Sequence, residues 1–454
     1  MFKSRSFTRG LDPDESRQRR ININQQFRKE RRDDELQLTR SYDYTDRPDS
    51  FEDFVIDVEM LEVNRESLIK DEWIKFLYSE ADYEQLNATV RISRMIRKHP
   101  GTTAEIIKLE LVPRFFEFLK NQKNTDLQQK AAVVLIELTA NHCGCTFPAE
   151  ASEIIGRVLE TATDEDVLEA TLLLLSNFAG QNGAFRKQFL MSPAWKIFLN
   201  CLTLIFNTKN FKFVSNGASA LCNLCYRAKK SQNFDNILMC LPILVQMIHN
   251  DDYDLIFWGC RALVDIAEVL VQPVIDCGVS SRLIELLGSY TLNKIKIKAV
   301  RVIGLITKGS EAHTQLMIKG GVLSALHELL HSDNKEVLFR SCYAAAIVAS
   351  GTNEQIQCIF DSGFVPTFLR LLNHNDFEVQ FEAVWGITRC ISCSRSSEAQ
   401  INFLISCGVV EGLSGKLDSI DYKILHLVLR SLKVFLEFGK VECCVIMQRY
   451  GGEF

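Results

Sequence analysis

From about residue 278 onward, apolar residues recur in two alternating kinds of run. A short leucine-rich run comes first, as in Leu326-His327-Glu328-Leu329-Leu330 and Phe368-Leu369-Arg370-Leu371-Leu372. A polar turn such as His374-Asn375-Asp376 follows, and then a longer alanine-rich stretch such as Glu382-Ala383-Val384-Trp385-Gly386-Ile387. Each unit opens on a glycine: Cys277-Gly278-Val279, Gly320-Gly321-Val322, Ser362-Gly363-Phe364-Val365-Pro366 and Cys407-Gly408-Val409-Val410. The glycines are 43, 42 and 45 residues apart. Glycine suits a sharp turn between helices because it adopts positive φ without a steric cost. Less regular units precede these. One opens at Leu111-Val112-Pro113-Arg114-Phe115-Phe116-Glu117-Phe118-Leu119 and another at Leu241-Pro242-Ile243-Leu244-Val245. No unit of this size buries its apolar face alone, so the pattern predicts an all-α stack of about eight to nine helical repeats between roughly residue 70 and the C-terminus.

Composition narrows the class. The 454 residues are 47% hydrophobic, enough for a large core but too long for one ordinary compact domain. The 15 cysteines are scattered, many on apolar helix faces, as at Cys222, Cys225, Cys260 and Cys342. Without a secretory signal, that scatter suits a reduced intracellular protein better than a disulfide framework. No apolar run reaches the length of about 20 residues that spans a bilayer. The net charge of −5 conceals an asymmetry: residues 1–32 hold ten Lys/Arg against four Asp/Glu, and the remainder is acidic. A basic arm on an acidic body docks on something acidic: nucleic acid, an acidic protein groove, or its own body. In the arm, Asp12, Pro13 and Glu15 make a helix start. The helix that follows is polar all round and is expected to fold on a partner. Residues 41–67, with Tyr42, Asp43, Tyr44, Asp46, Pro48 and Asp49, read as a flexible acidic linker.

Two strings in the arm carry a family resemblance. Arg17-Gln18-Arg19-Arg20-Ile21-Asn22-Ile23-Asn24, followed by Phe27-Arg28-Lys29-Glu30-Arg31-Arg32-Asp33-Asp34, resembles the importin-β-binding domain of importin-α. Further on, Asn177-Phe178-Ala179-Gly180-Gln181-Asn182-Gly183-Ala184-Phe185-Arg186 and Ser219-Ala220-Leu221-Cys222-Asn223-Leu224-Cys225 resemble the third helices of importin-α repeats. The resemblance implies a right-handed superhelical solenoid of armadillo repeats over 68–454, behind an importin-β-binding segment at 1–40. It implies an adaptor for nuclear import that shuttles between cytoplasm and nucleus. Importin-β would be held by Arg17, Arg19, Arg20, Arg28, Lys29, Arg31 and Arg32. Lysine/arginine-rich cargo peptides would lie in a groove, and nucleoporins and the importin-α export receptor are further partners it implies. No cofactor, direct nucleic-acid partner or membrane is implied.

In that family a Trp, and an Asn four residues later, face the groove from successive third helices. Indoles take lysine stems by cation–π contact, and the amides hold the peptide backbone. This chain keeps Asn177, Asn223, Trp258 and Trp385 from that pattern, but no complete pair. Leu173 and Ser219 stand where the partners of the two asparagines would be, and Ala262 and Arg389 stand four residues after the two tryptophans. Val133 and Glu137 occupy the first groove repeat, and Gln181 stands where the family uses an Asp for the key lysine. Asp265 and Glu382 align with groove acids, and Arg301 with a basic residue separating two cargo sites. The pattern predicts weak binding of lysine-rich signals, resting on Trp258, Asp265, Glu382 and Trp385. It also leaves open a scaffold that keeps the importin-β arm with altered or lost signal recognition. The arm ends in Leu38-Thr39-Arg40 where the family has a second basic cluster, so self-inhibition is expected to be weak. The chain stops at Gly451-Gly452-Glu453-Phe454, where relatives usually continue through a last repeat and an acidic tail. His142-Cys143-Gly144-Cys145 is half a metal site without a second half, and no nucleotide or hydrolase motif is present, which argues against an enzyme.

Overall fold

The computed structural model describes residues 68–140, 148–206, 211–226, 234–419, 421–438, 445–446 and 448–449. The chain divides into residues 1–66 and 67–454. The basic clusters, Arg40, the acidic linker, His142 to Cys145 and the terminal Gly451–Phe454 lie outside the described residues.

The described residues form an all-α stack of helical repeats. Nine long helices recur among the described residues: α1 (Asp82–Lys98), α2 (Thr125–Ala140), α3 (Glu165–Gln181), α4 (Phe211–Cys225), α5 (Tyr253–Ala267), α6 (Asn293–Gly309), α7 (Lys335–Val348), α8 (Phe377–Cys393) and α9 (Tyr422–Glu437). Each packs on the next in order, so α1 to α9 form one continuous layer. A shorter helix precedes each and packs against it, for example Val112–Leu119 on α2 and Phe364–Leu371 on α8.

Local chemistry explains the element ends. Asx side chains cap most of the long helices. Asp164 accepts from Val167 N, Asp252 from Asp254 N and Leu255 N, and Asn334 from Val337 N. Asp376 accepts from Glu378 N and Val379 N, and Asp421 from Lys423 N and Ile424 N. Such a cap contributes about 1 kcal/mol to its helix. The repeating glycines do the turning predicted for them: Gly278, Gly321, Gly363 and Gly408 have φ of 82°, 90°, 76° and 81°. At the corresponding junction of an early unit the residue is Glu110, with φ of 53°.

Apolar packing runs unbroken through the stack. Phe116 of one unit meets Phe178 of α3 at 6.2 Å, and Phe178 meets Phe185 at 5.2 Å. Cys222, Cys225, Cys260 and Cys342 are all buried in this core, as their positions on apolar helix faces predict. Directional bonds register neighbouring units. Arg114 donates to Leu77 O at 2.9 Å, Arg282 to Ile248 O at 2.9 Å and Arg370 to Leu330 O at 2.7 Å. Each is an arginine on a short helix satisfying carbonyls at the end of the short helix before it.

Candidate functional site

The candidate groove residues all lie on the long helices: Asn177 on α3, Asn223 on α4, Trp258 and Asp265 on α5, Arg301 on α6, and Glu382 and Trp385 on α8. At the N-terminal end, Glu137 of α2 faces α1. Its carboxylate accepts from Ser93 Oγ at 3.2 and 3.0 Å and pairs with Arg97. Partial burial pushes its pKa above the ordinary value, against the opposing pull of Arg97 and Ser93. Val133, one turn earlier, is half-buried. Neither offers the indole or amide of a peptide-binding slot.

The two asparagines are committed to the stack. Asn177 is half-buried, and its Nδ2 donates to Thr139 Oγ1 of α2 at 3.1 Å. Gln181 Nε2 donates to Thr139 O at 2.9 Å. Asn223 is 6% exposed, and its Nδ2 donates to Ser176 O at 2.9 Å and to Ser176 Oγ at 3.1 Å. Ser219 and Ser176 share a further hydroxyl contact of 2.9 Å. The small serine in the Trp slot thus lets α3 and α4 exchange hydrogen bonds where the family keeps an indole. Leu173 is the exposed member of this region.

At α5 and α6 the contacts become ionic. Trp258 is half-buried and edge-on to Phe257 at 5.1 Å. Ala262, four residues on, is fully buried. Lys294 of α6 pairs with Asp254 at 2.7 Å and lies 5.4 Å over the Phe257 ring. Arg301 reaches Glu268 at 3.8 Å. Asp265 is half-buried toward α4. Its charge adds to the contact with Cys240 and to burial in raising the Cys225 thiol.

The C-terminal half departs furthest from an open lysine slot. Trp385 is 8% exposed and belongs to a small apolar cluster apart from the main core, with Ala346, Ile347, Tyr343 and Leu427. Tyr343 stacks on it at 6.1 Å and 21°. Arg389 lies 5.9 Å over the same indole and donates to Ser350 Oγ at 2.7 Å. Glu382 is 7% exposed. Its charge adds to burial in raising the Cys342 thiol of α7. Of the four residues expected to carry residual binding of lysine-rich signals, Trp258 and Asp265 are half-buried, Trp385 is buried and already holds a guanidinium, and Glu382 is buried. Tyr343 was the functional candidate missed in the sequence. It stands 42 residues before Trp385, the repeat interval, which marks it as the equivalent slot of α7.

Comparison with known proteins adds independent information. A family model described as an importin beta binding domain matches residues 3–90, and one described as an armadillo/beta-catenin-like repeat matches residues 352–390. Importin subunit alpha-1a of Oryza sativa subsp. japonica is 28% identical over 64% of this chain, which spans 55% of that protein's length. Importin subunit alpha-1b of the same plant is 27% identical, covering 81% of this chain and 69% of its own length. Importin subunit alpha-4 of Arabidopsis thaliana is 28% identical, covering 97% and 82%. Among solved structures, an engineered protein superposes with a TM-score of 0.71 at 22% identity, covering 84% of this chain and 91% of its own, a likeness of fold.

Proposed function

Since the chain belongs to the importin-α family, we propose that it acts as an adaptor of nuclear protein import. In this reading residues 1–40 bind importin-β and the layer α1–α9 receives a segment of the cargo. The protein then shuttles between cytoplasm and nucleus, meeting nucleoporins and an export receptor on the way. The observation that carries the reading is the importin-beta-binding match over residues 3–90, which runs into the first of nine stacked long helices. Seven of the arm's cations, at positions 17, 19, 20, 28, 29, 31 and 32, supply strong, salt-sensitive attraction to an acidic receptor.

A second reading is favoured by particular contacts. Asn223 spends its amide donor on Ser176, and Trp385 already carries Arg389. Both support an importin-β-binding scaffold whose recognition of cargo segments has been altered. The first test is a pull-down of the full chain with importin-β at physiological salt. Reversing charge at Arg28, Lys29, Arg31 and Arg32 together is expected to abolish capture. Undiminished capture by the reversed protein would falsify the assignment of the arm.

A further inference from the structure

Exposed aromatic side chains gather on one edge of the layer. Of the seven exposed Tyr and Phe side chains among the described residues, all but Phe403 lie in the turn before a long helix or in its first turn. Three share one local arrangement. Asp252-Tyr253, Asp376-Phe377 and Asp421-Tyr422 each place a capping aspartate before α5, α8 or α9 and an exposed ring on the next residue. Tyr290, in the turn before α6, is 95% exposed. The cap accounts for the aspartate but not for the ring, since aromatic residues are weak helix formers. None of these four rings makes a ring or cation–π contact among the described residues.

The N-terminal turns of neighbouring helices meet along this edge. Lys294 of α6 pairs with Asp254 of α5 at 2.7 Å, and Lys335 of α7 pairs with Asp376 and Glu378 of α8 at 2.8 and 3.4 Å. The rings of the α5, α6, α8 and α9 units therefore stand in one row, with Lys335 in the α7 place. The row is acidic. Residues 249–254, 288–294, 331–336, 373–378 and 416–423 hold nine Asp/Glu against four Lys/Arg, and two of those four are the paired Lys294 and Lys335. Asp251, Asp333 and Asp418 are exposed carboxylates with no side-chain partner among the described residues.

Ring faces beside carboxylates complement a guanidinium, which stacks flat on the ring and forks onto the acid. The fold contains one example on the same edge: Arg114 lies 5.1 Å over the exposed Tyr78 ring and pairs with Glu117. Spacing defines the rest of the occupant. Packed helices are about 8–10 Å apart, and an extended chain advances about 3.3 Å per residue, so every third residue reaches the next turn. We propose that the edge formed by the N-terminal turns of α5–α9 binds an extended, arginine-rich segment of a partner protein. Its guanidinium groups stack on Tyr253, Tyr290, Phe377 and Tyr422 and pair with the neighbouring aspartates. The site lies a turn or more N-terminal to the groove candidates Trp258, Glu382 and Trp385 on the same helices, and it goes beyond the adaptor reading.

The test is fluorescence anisotropy of the full chain at physiological salt with two labelled probes, five repeats of Arg-Ser-Gly and five of Lys-Ser-Gly. The arginine probe is expected to bind several-fold more tightly, because the ammonium neither stacks nor forks. Combining Tyr253→Ser, Phe377→Ser and Tyr422→Ser is expected to weaken the arginine probe about tenfold or more, at about two- to fivefold per ring. Thermal melts of this variant are expected to match wild type, because the rings are exposed. Should it melt early, Asp251→Asn with Asp418→Asn is read instead and is expected to weaken the arginine probe several-fold. Arginine-probe affinity unchanged in the folded variant places the peptide elsewhere and overturns the proposal. Equal binding of the two probes, or binding of neither, also overturns it. Importin-β capture by the same proteins reports on the adaptor reading separately and is expected to be the same in wild type and variants.

Discussion

In Asn223→Ala the amide that bridges α4 to α3 is lost. Two hydrogen bonds disappear, to Ser176 O and Ser176 Oγ, at a site only 6% exposed, so water does not replace them. Each neutral bond contributes about 0.5–1.5 kcal/mol net. The vacated volume of three heavy atoms adds about 1 kcal/mol. Ser176 Oγ keeps its contact with Ser219 Oγ, which trims the loss. The expected destabilisation is about 2–3 kcal/mol, large for one polar surface-layer side chain. Asn177→Ala is the internal control: it breaks one bond, to Thr139 Oγ1, at a half-buried position, and is expected to cost about 1 kcal/mol or less. Urea unfolding followed by far-UV circular dichroism reads both. With a slope of about 1–3 kcal/mol per molar, Asn223→Ala shifts the midpoint by roughly 1 M. An unchanged midpoint together with weakened peptide binding would refute the reasoning, because it would show the amide reserved for a ligand rather than for the stack.

Two further perturbations probe other parts of the fold. Glu110 sits at φ 53°, where later units have glycine, and the left-handed region costs a side-chain-bearing residue about 1–2 kcal/mol. After the entropy glycine adds to the unfolded chain, Glu110→Gly is expected to raise stability by about 0.5–1 kcal/mol, and a lower melting temperature would show the glutamate to be making contacts that outweigh its strain. Partial burial raises the Glu137 pKa, so the folded state holds that proton more tightly than the unfolded chain does. The associated stability is present at low pH and is lost as pH rises through the raised pKa. Wild type is therefore expected to lose melting temperature relative to Glu137→Gln between about pH 4 and pH 7; parallel curves would mean the carboxylate is solvated and Arg97 sets its charge.

The repeat architecture was legible because its signals are local. Four glycines at a fixed interval predicted four left-handed turns, and all four have positive φ. The early units were harder to see because another residue serves at the turn, Glu110, and because Pro113 and Pro242 rather than a preceding glycine mark their short helices. The candidate groove was legible in register but not in direction. A four-residue spacing located Asn177, Asn223, Trp258 and Trp385 on their helices. It could not say that Asn223 donates across to Ser176, since the acceptor lies 47 residues away. Nor could it say that Trp385 is covered, since Tyr343 and Leu427 come from the units before and after. Residue type at one position names a chemical capacity. Whether that capacity faces solvent or a neighbour is set by residues one repeat away.

That last distance has a kinetic meaning. The arginines that close the ends of preceding short helices, Arg114, Arg282 and Arg370, reach back 37, 34 and 40 residues. The side-chain bonds between long helices span comparable separations, up to the 47 residues of Asn223 and Ser176. Each of these bonds closes a loop of one repeat and no more. Loop-closure entropy is therefore met in equal small instalments, however many units follow. Average contact separation, as a fraction of chain length, falls as repeats are added, and folding speed tracks that fraction. A stack of nine such units meets a search problem set by a unit and its neighbour rather than by its length, so folding can start at any well-packed pair and spread in both directions.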